Sequence, residues 1–212
     1  MNIGILGSGE VAKTLPGGFL KHGHEVMMGT RDAATLADWI RQRPAVRTGS
    51  VEQAAHFGDV VVLAVKGSAA ETVLHAAGAR TLGGKVVIDA TNPIADAPPA
   101  NGVLKMFTNL DESLMERLQR ACPHARLVKA FNSVGTMMMV NPDFAGTRPT
   151  MFICGNDVPA KQTVSQLLDQ FGWEAEDMGQ VESARALEPL CMLWCIPGFL
   201  RNQWSHAFKL LK

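Results

Sequence analysis

The chain of 212 residues has no net charge, its 20 basic side chains being balanced by 20 acidic ones. Without a basic excess there is no field to draw in nucleic acid or an anionic lipid surface, and neither is expected as a partner. Long apolar runs are missing as well. The longest, Leu190 to Leu200, is interrupted by Pro197 and Gly198 and falls short of the ~20 residues that span a bilayer. The amino-terminal run Asn2 to Leu6 is too short for the apolar core of a secretion signal, so a cytoplasmic location is expected. Cysteine is scarce: Cys122, Cys154, Cys191 and Cys195 show no C-x-x-C spacing and read as reduced, buried thiols. Cys191 and Cys195 stand one helical turn apart, but no second pair of ligands accompanies them, and no metal is expected. The six histidines are scattered, no His-Asp or Cys-His arrangement stands out, and only His206 on the terminal segment merits a test near a site.

What is present is the composition of a folded enzyme, 47% hydrophobic and 19% charged, with no repeat or low-complexity tract. Asn2 to Leu6 predicts a strand, Val11 to His22 a helix ended by Gly23, and His24 to Gly29 a second strand. Asp32 can cap a helix over Ala33 to Arg43; a small strand at Val46 to Thr48 and a short helix at Val51 to His56 follow. Asp59 to Val65 is continuously apolar and β-branched, as a strand covered on both faces of a parallel sheet must be. Further helices are expected at Ala69 to Ala77 and Leu110 to Ala121, the latter behind Asp111 or Ser113, with strands at Lys85 to Asp89 and Arg126 to Phe131. Beyond Pro149 come a strand (Thr150 to Cys154), a helix (Pro159 to Phe171), a strand (Trp173 to Asp177) and a helical tail from Ser183 to Lys212, broken or kinked at Pro189 and Pro197. Strand and helix alternate throughout, which gives the fold class: α/β, a doubly wound, mostly parallel Rossmann sheet with a small C-terminal α/β and helical extension. Residues 1–145 form the nucleotide-binding domain and 146–212 the extension, a candidate dimerisation region.

In such a sheet ligands bind at the carboxyl ends of the strands. The first of those ends carries Gly7-Ser8-Gly9-Glu10-Val11-Ala12, between a strand and a helix, the context in which a glycine fingerprint signals a dinucleotide. Gly7 permits the tight turn, Gly9 lets the backbone approach a pyrophosphate, and Ala12 allows close helix packing, while the helix start offers free N–H groups. Pro16, Gly17 and Gly18 weaken that helix without an assignable role. Where NAD enzymes usually place a carboxylate on the ribose, the chain has Gly29, Thr30 and Arg31. A hydroxyl with a guanidinium suits a 2′-phosphate, so NADP(H) is the expected cofactor; in the competing reading Asp32 binds the ribose and Arg31 is solvated. The loops Val65-Lys66-Gly67-Ser68, Thr91-Asn92-Pro93-Ile94 and Phe131-Asn132-Ser133-Val134-Gly135 follow other strands and should line the groove toward the nicotinamide. Asn92 and Asn132 either orient the carboxamide or a partner molecule, or merely end strands. Lys129 is a candidate proton donor, although a lysine on a strand edge is more often solvated. Asn132 and Lys129 are thus the catalytic candidates.

The glycine turn, Gly23-His24-Glu25-Val26, Gly29-Thr30-Arg31, Val128-Lys129-Ala130-Phe131-Asn132, the Gly155-Asn156-Asp157 turn and Leu187-Glu188-Pro189-Leu190 resemble the NADP oxidoreductases dependent on the deazaflavin coenzyme F420. The resemblance extends along most of the chain. It implies a small, usually dimeric Rossmann protein that passes hydride between NADP(H) and a deazaflavin stacked on the nicotinamide. By position it implies the adenine-side phosphate on Thr30 and Arg31, the pyrophosphate on Ser8 to Val11, and the nicotinamide near Gly67, Asn92 and Gly135. The segment after the glycine turn and the loop Asn132 to Met139 depart from the family pattern.

Hydride transfer between stacked rings needs contact and desolvation rather than a strong acid or base, in keeping with the missing dyad. The short extension leaves little room for a substrate domain, so a small molecule docking at the nicotinamide edge, with help from a second subunit, is expected. Met137 to Met139 with Leu193, Trp194, Ile196 and Phe199 form an apolar slot for a flat ring, part of the core or a homodimer seam, the seam being the favoured expectation. Three functions compete: an NADP(H):deazaflavin F420 or flavin oxidoreductase, an NADPH-dependent reductase of a small carbonyl or imine compound, and a non-catalytic NADPH-binding regulator.

Overall fold

A computed structural model describes all 212 residues. The chain runs β1 (Asn2–Leu6), α1 (Glu10–Lys21), β2 (Glu25–Gly29), α2 (Ala37–Arg41), β3 (Val46–Gly49), α3 (Val51–Phe57), β4 (Val60–Leu63), α4 (Gly67–Ala77), α5 (Ala79–Leu82), β5 (Val86–Asp89), α6 (Leu114–Ala121), β6 (Arg126–Lys129), β7 (Thr150–Ile153), α7 (Val158–Gln170), β8 (Glu174–Asp177) and α8 (Ala184–Arg201). Six strands form one parallel sheet in the order β3-β2-β1-β4-β5-β6, the doubly wound order whose direction reverses between β1 and β4. β7 and β8 make a separate parallel pair, tied to the edge of the large sheet where the Lys129 N–H donates to the Cys154 carbonyl at 2.9 Å.

Side chains alternate across each strand and feed two cores. Ile3, Ile5, Val60 and Val62 face one side, with α1, α7, Phe171 and Trp173; Leu6, Val61 and Leu63 face the other, with α3, α4, α6 and the start of α8. The C-terminal extension therefore completes both cores.

Caps fall where the local chemistry demands. Ser113 rather than Asp111 starts α6, in a reciprocal capping box with Glu116. The segment expected as one helix over Ala33 to Arg43 is instead a 3-10 turn, Ala33–Leu36, continued by the short α2, with Asp32 Oδ1 accepting from the Ala34 N–H at 2.9 Å. The expected helical tail to Lys212 is corrected more substantially. α8 continues through Pro189 and Pro197 and stops at Asn202, a left-handed residue with φ of 52°. Each proline removes one N–H donor, and burial of Leu187, Glu188, Cys191 and Trp194 against the body holds the helix together. Residues 203–212 then run back across the β7 edge, where the Thr150 N–H donates to the Phe208 carbonyl (2.8 Å) and the Leu210 N–H to Thr150 Oγ1 (3.0 Å). No helix is long and apolar enough to cross a membrane.

Candidate functional site

A groove of about 440 Å³ lies at the carboxyl ends of β1, β2 and β4, where the sheet order reverses. Its floor is the turn between β1 and α1. Gly7 has φ of +140°, and a Cβ there would sit 2.2 Å from the Ala64 carbonyl oxygen, so only glycine fits both the conformation and the space. Gly9 precedes α1 with no side chain to cap it, and a Cβ built on it would meet nothing within 4 Å. The first bond of the helix runs from the Lys13 N–H to the Gly9 carbonyl (3.0 Å), leaving the earlier amides without partners in the helix. Uncapped N–H groups beside open space suit an anion.

Nine of the residues expected to bind a nucleotide line this groove together: Gly7, Ser8, Gly9, Glu10, Val11, Thr30, Arg31, Val65 and Lys66. Thr30 is fixed by the neighbouring strand and its own loop, its N–H donating to the Gly49 carbonyl at the end of β3 and its Oγ1 accepting from the Asp32 N–H. Asp32 is occupied as the cap of the following turn. Arg31 is exposed at the groove and takes part in none of the ion pairs. Lys66 is exposed too, 3.6 Å from Asp96, and Glu10 lies 3.8 Å from Lys13. The apolar walls, Val51, Ala64, Ala69, Val73 and Ala90, escaped the sequence reading because nothing distinguishes a small apolar groove residue from a core one.

Gly67, Asn92, Pro93, Asn132 and Gly135 do not line this groove; they form the structure beyond its inner end. Gly67 opens α4 with its α-carbon against the Asn92 backbone, a Cβ being only 2.0 Å from the Asn92 carbonyl oxygen. Asn92 Nδ2 donates to the Asn132 carbonyl (2.7 Å), and Asn132 Nδ2 donates to the Leu187 carbonyl (2.8 Å). Asn132 Oδ1 is buried without a donor. Pro93 faces a smaller cavity of about 300 Å³ bounded by Met106, Leu110, Pro189 and Met192. Gly135 carries the edge of the Trp194 indole, 2.4 Å from where a Cβ would stand, and that indole is stacked on His206 and donates to its carbonyl.

Lys129 is not a solvated edge residue. It is completely buried, Nζ donating to Asp89 Oδ2 (2.9 Å) and Glu188 Oε1 (3.0 Å). Burial alone would lower its pKa, but the two carboxylates outweigh burial and hold it above the ordinary lysine value. The paired arrangement escaped sequence reasoning because β7 and α8 seal an edge that pattern alone leaves open. Of the apolar residues suspected as slot or seam, Met139 and Trp194 are buried, whereas Met137, Leu193 and Phe199 face outward.

The family model for NADP oxidoreductases dependent on coenzyme F420 matches residues 2–93. A crystal structure described as a candidate F420-dependent NADP reductase, from Arthrobacter sp. FB24, is 32% identical, with a TM-score of 0.92 and 99% of both chains covered. An F420-dependent NADP reductase from Methanocaldococcus jannaschii is 27% identical over 188 residues, 82% of each chain. Metalloreductase STEAP3 of Rattus norvegicus is 30% identical over 202 residues, 93% of this chain; the chain spans 38% of that protein's length. Full-length similarity to the Arthrobacter structure, a matching family model over the glycine turn and the sheet order together establish that this chain belongs to the coenzyme F420-dependent NADP oxidoreductase family and is an NADP-dependent oxidoreductase.

Proposed function

We propose that the protein passes hydride between NADP(H) and a small ring cofactor, the deazaflavin F420 or a flavin. The observation that carries this reading is the groove itself: uncapped amides of α1, open space at Gly9, and an unpaired Arg31 in place of a ribose-binding carboxylate. The residues fit the nucleotide. Ser8 to Val11 would receive the pyrophosphate, and Thr30 and Arg31 the 2′-phosphate, by charge-assisted hydrogen bonds. Val65, Lys66 and Gly67 would carry the chain of contacts inward, with Asn92, Pro93, Asn132 and Gly135 around the nicotinamide. Bound nicotinamide supplies the hydride donor or acceptor carbon.

Lys129, the candidate proton donor, is sealed between two carboxylates and lines neither the groove nor the smaller cavity. This favours a ring acceptor over a carbonyl or imine, whose reduction needs a proton donor. The outward-facing Met137, Leu193, Phe199 and Leu200 support a homodimer seam as part of the same proposal. Four unpaired cysteines suit the reducing cytoplasm.

The test is a panel. NADPH is mixed with the protein and deazaflavin, flavin mononucleotide or a ferric chelate, and absorbance is followed in the nicotinamide band. Oxidation with a ring acceptor is expected; no oxidation with deazaflavin or flavin refutes the proposal.

A further inference from the structure

Three charged side chains are buried together at the carboxyl end of the sheet. Asp89 ends β5, Lys129 ends β6, and the two are register partners; Glu188 comes from α8. The side chains of Asp89 and Lys129 are 0% exposed and that of Glu188 is 2%. Their remaining bonds run into the loops above them. Asp89 Oδ1 accepts from the Thr91 N–H (2.9 Å) and Thr91 Oγ1 (2.7 Å). Glu188 accepts from the Leu114 and Met115 N–H groups (2.9 and 3.0 Å), capping α6 from another helix. The residue before it, Leu187, takes the Asn132 amide, and Asn92 holds the Asn132 backbone. The bonds thus close a circuit: Thr91, Asp89, Lys129, Glu188 with Leu187, Asn132, Asn92, and back along the chain to Thr91.

Stability does not account for such a cluster. Taking three charges out of water is costly, and well-packed apolar side chains of similar volume serve as well or better. Two carboxylates face one ammonium, and the excess negative charge is met by the positive amino-terminal end of α6. What a charged network supplies and an apolar one does not is a single geometry, set by directed bonds. Here that geometry governs the first residues of both loops assigned above to the nicotinamide.

We propose that Lys129 is a positioning residue which, through Asp89 and Glu188, fixes the Asn92 and Asn132 loops against α8 and so sets the inner end of the nucleotide groove. It acts on the nicotinamide half of the ligand and leaves the adenosine half alone, because Thr30, Arg31 and the glycine turn lie outside the circuit. The inference rests on the nicotinamide end being where the proposed function puts it.

The measurement compares NADPH with 2′-phospho-ADP-ribose, which has the same phosphates and adenosine but no nicotinamide. In Glu188→Gln, affinity for 2′-phospho-ADP-ribose should stay within about twofold of wild type, because its contacts share no partner with the circuit. The advantage of NADPH over it should fall by about five- to tenfold, the worth of one misaligned hydrogen bond. A neutral variant combining Asp89→Asn, Lys129→Met and Glu188→Gln should show the same loss and decides the matter if the single variant does not fold. The inference is overturned by a folded variant that keeps the wild-type advantage, by equal wild-type affinities for the two nucleotides, or by a chain that folds in neither form, which would make the network a stability element. Wild-type protein that binds neither nucleotide would instead overturn the functional reading beneath it.

Discussion

Arg31 is the residue on which the cofactor assignment turns, and Arg31→Ala perturbs it with little cost to the fold. The side chain is exposed and has no carboxylate partner, so truncation leaves no buried charge behind. A hydrogen bond to a charged group contributes about 1.5 to 3 kcal/mol, and a guanidinium can offer two to a phosphate. Exposure at the groove mouth screens both, and about 2 kcal/mol in total is the reasonable expectation, or roughly 30-fold in Kd. Fluorescence titration of wild type and variant with NADPH and NADH reads this directly. NADPH should bind about 30-fold more weakly to the variant, while NADH, which has no 2′-phosphate, should change by less than about twofold. The NADPH effect should shrink as salt rises toward ~1 M, where charges are screened within about 3 Å. An unchanged preference for NADPH would refute the phosphate assignment and return the ribose to another ligand.

Gly135→Ala should lower the melting temperature, because its Cβ would lie 2.4 Å from the Trp194 ring, an overpacking that costs about 1 to 3 kcal/mol. Adding Trp194→Leu should recover part of the loss, and strictly additive effects would disprove the contact. Acid sensitivity has a specific source in Glu116. Its bonds from Arg185, aided by the Ser113 N–H and hydroxyl, outweigh partial burial and hold its pKa down to about 2, against 4.5 for a free glutamate. A carboxylate depressed in the folded state contributes stability above its unfolded pKa and loses it as pH falls through the folded one. The stability gap between wild type and Glu116→Gln should therefore be full above about pH 5 and close toward pH 2; a gap independent of pH would contradict the pairing. Among the thiols, Cys195 is half-buried and its pKa is lowered by the Cys191 thiol, whereas burial pushes Cys154 up to about 12 and raises Cys122 as well. Iodoacetamide should label Cys195 first and leave Cys122 and Cys154 until the protein unfolds. Mass spectrometry of the peptides decides it, and early labelling of Cys154 would show the core to be looser than described.

The parallel sheet was legible because its strands are buried on both faces and read as unbroken apolar runs, Val60–Leu63 being the clearest. The outer half of the groove was legible for a similar reason: a turn such as Gly7-Ser8-Gly9 has few other uses at a strand–helix junction. Lys129 was not legible. Its partner Glu188 is 59 residues away, and whether a lysine at a strand end meets water or a carboxylate depends on what covers the sheet edge. The end of α8 was missed because Leu210 and Leu211 continue an apolar pattern, and only the left-handed Asn202 stops the helix. The packing of Trp194 on Gly135 was not legible either, since it arises between segments with no shared periodicity.

The central claim, direct hydride passage between a nicotinamide in this groove and a ring acceptor, is tested most directly by isotope transfer. NADPH deuterated at the transferable C4 position is incubated with the protein and oxidised deazaflavin, and the reduced ring is analysed by mass spectrometry. Its C5 carbon holds hydrogen that does not exchange with water. Deuterium retained at that carbon from one of the two C4 epimers of NADPH, and not the other, is the predicted result. Reduction with the label lost to solvent, or no reduction of either deazaflavin or flavin, would contradict it.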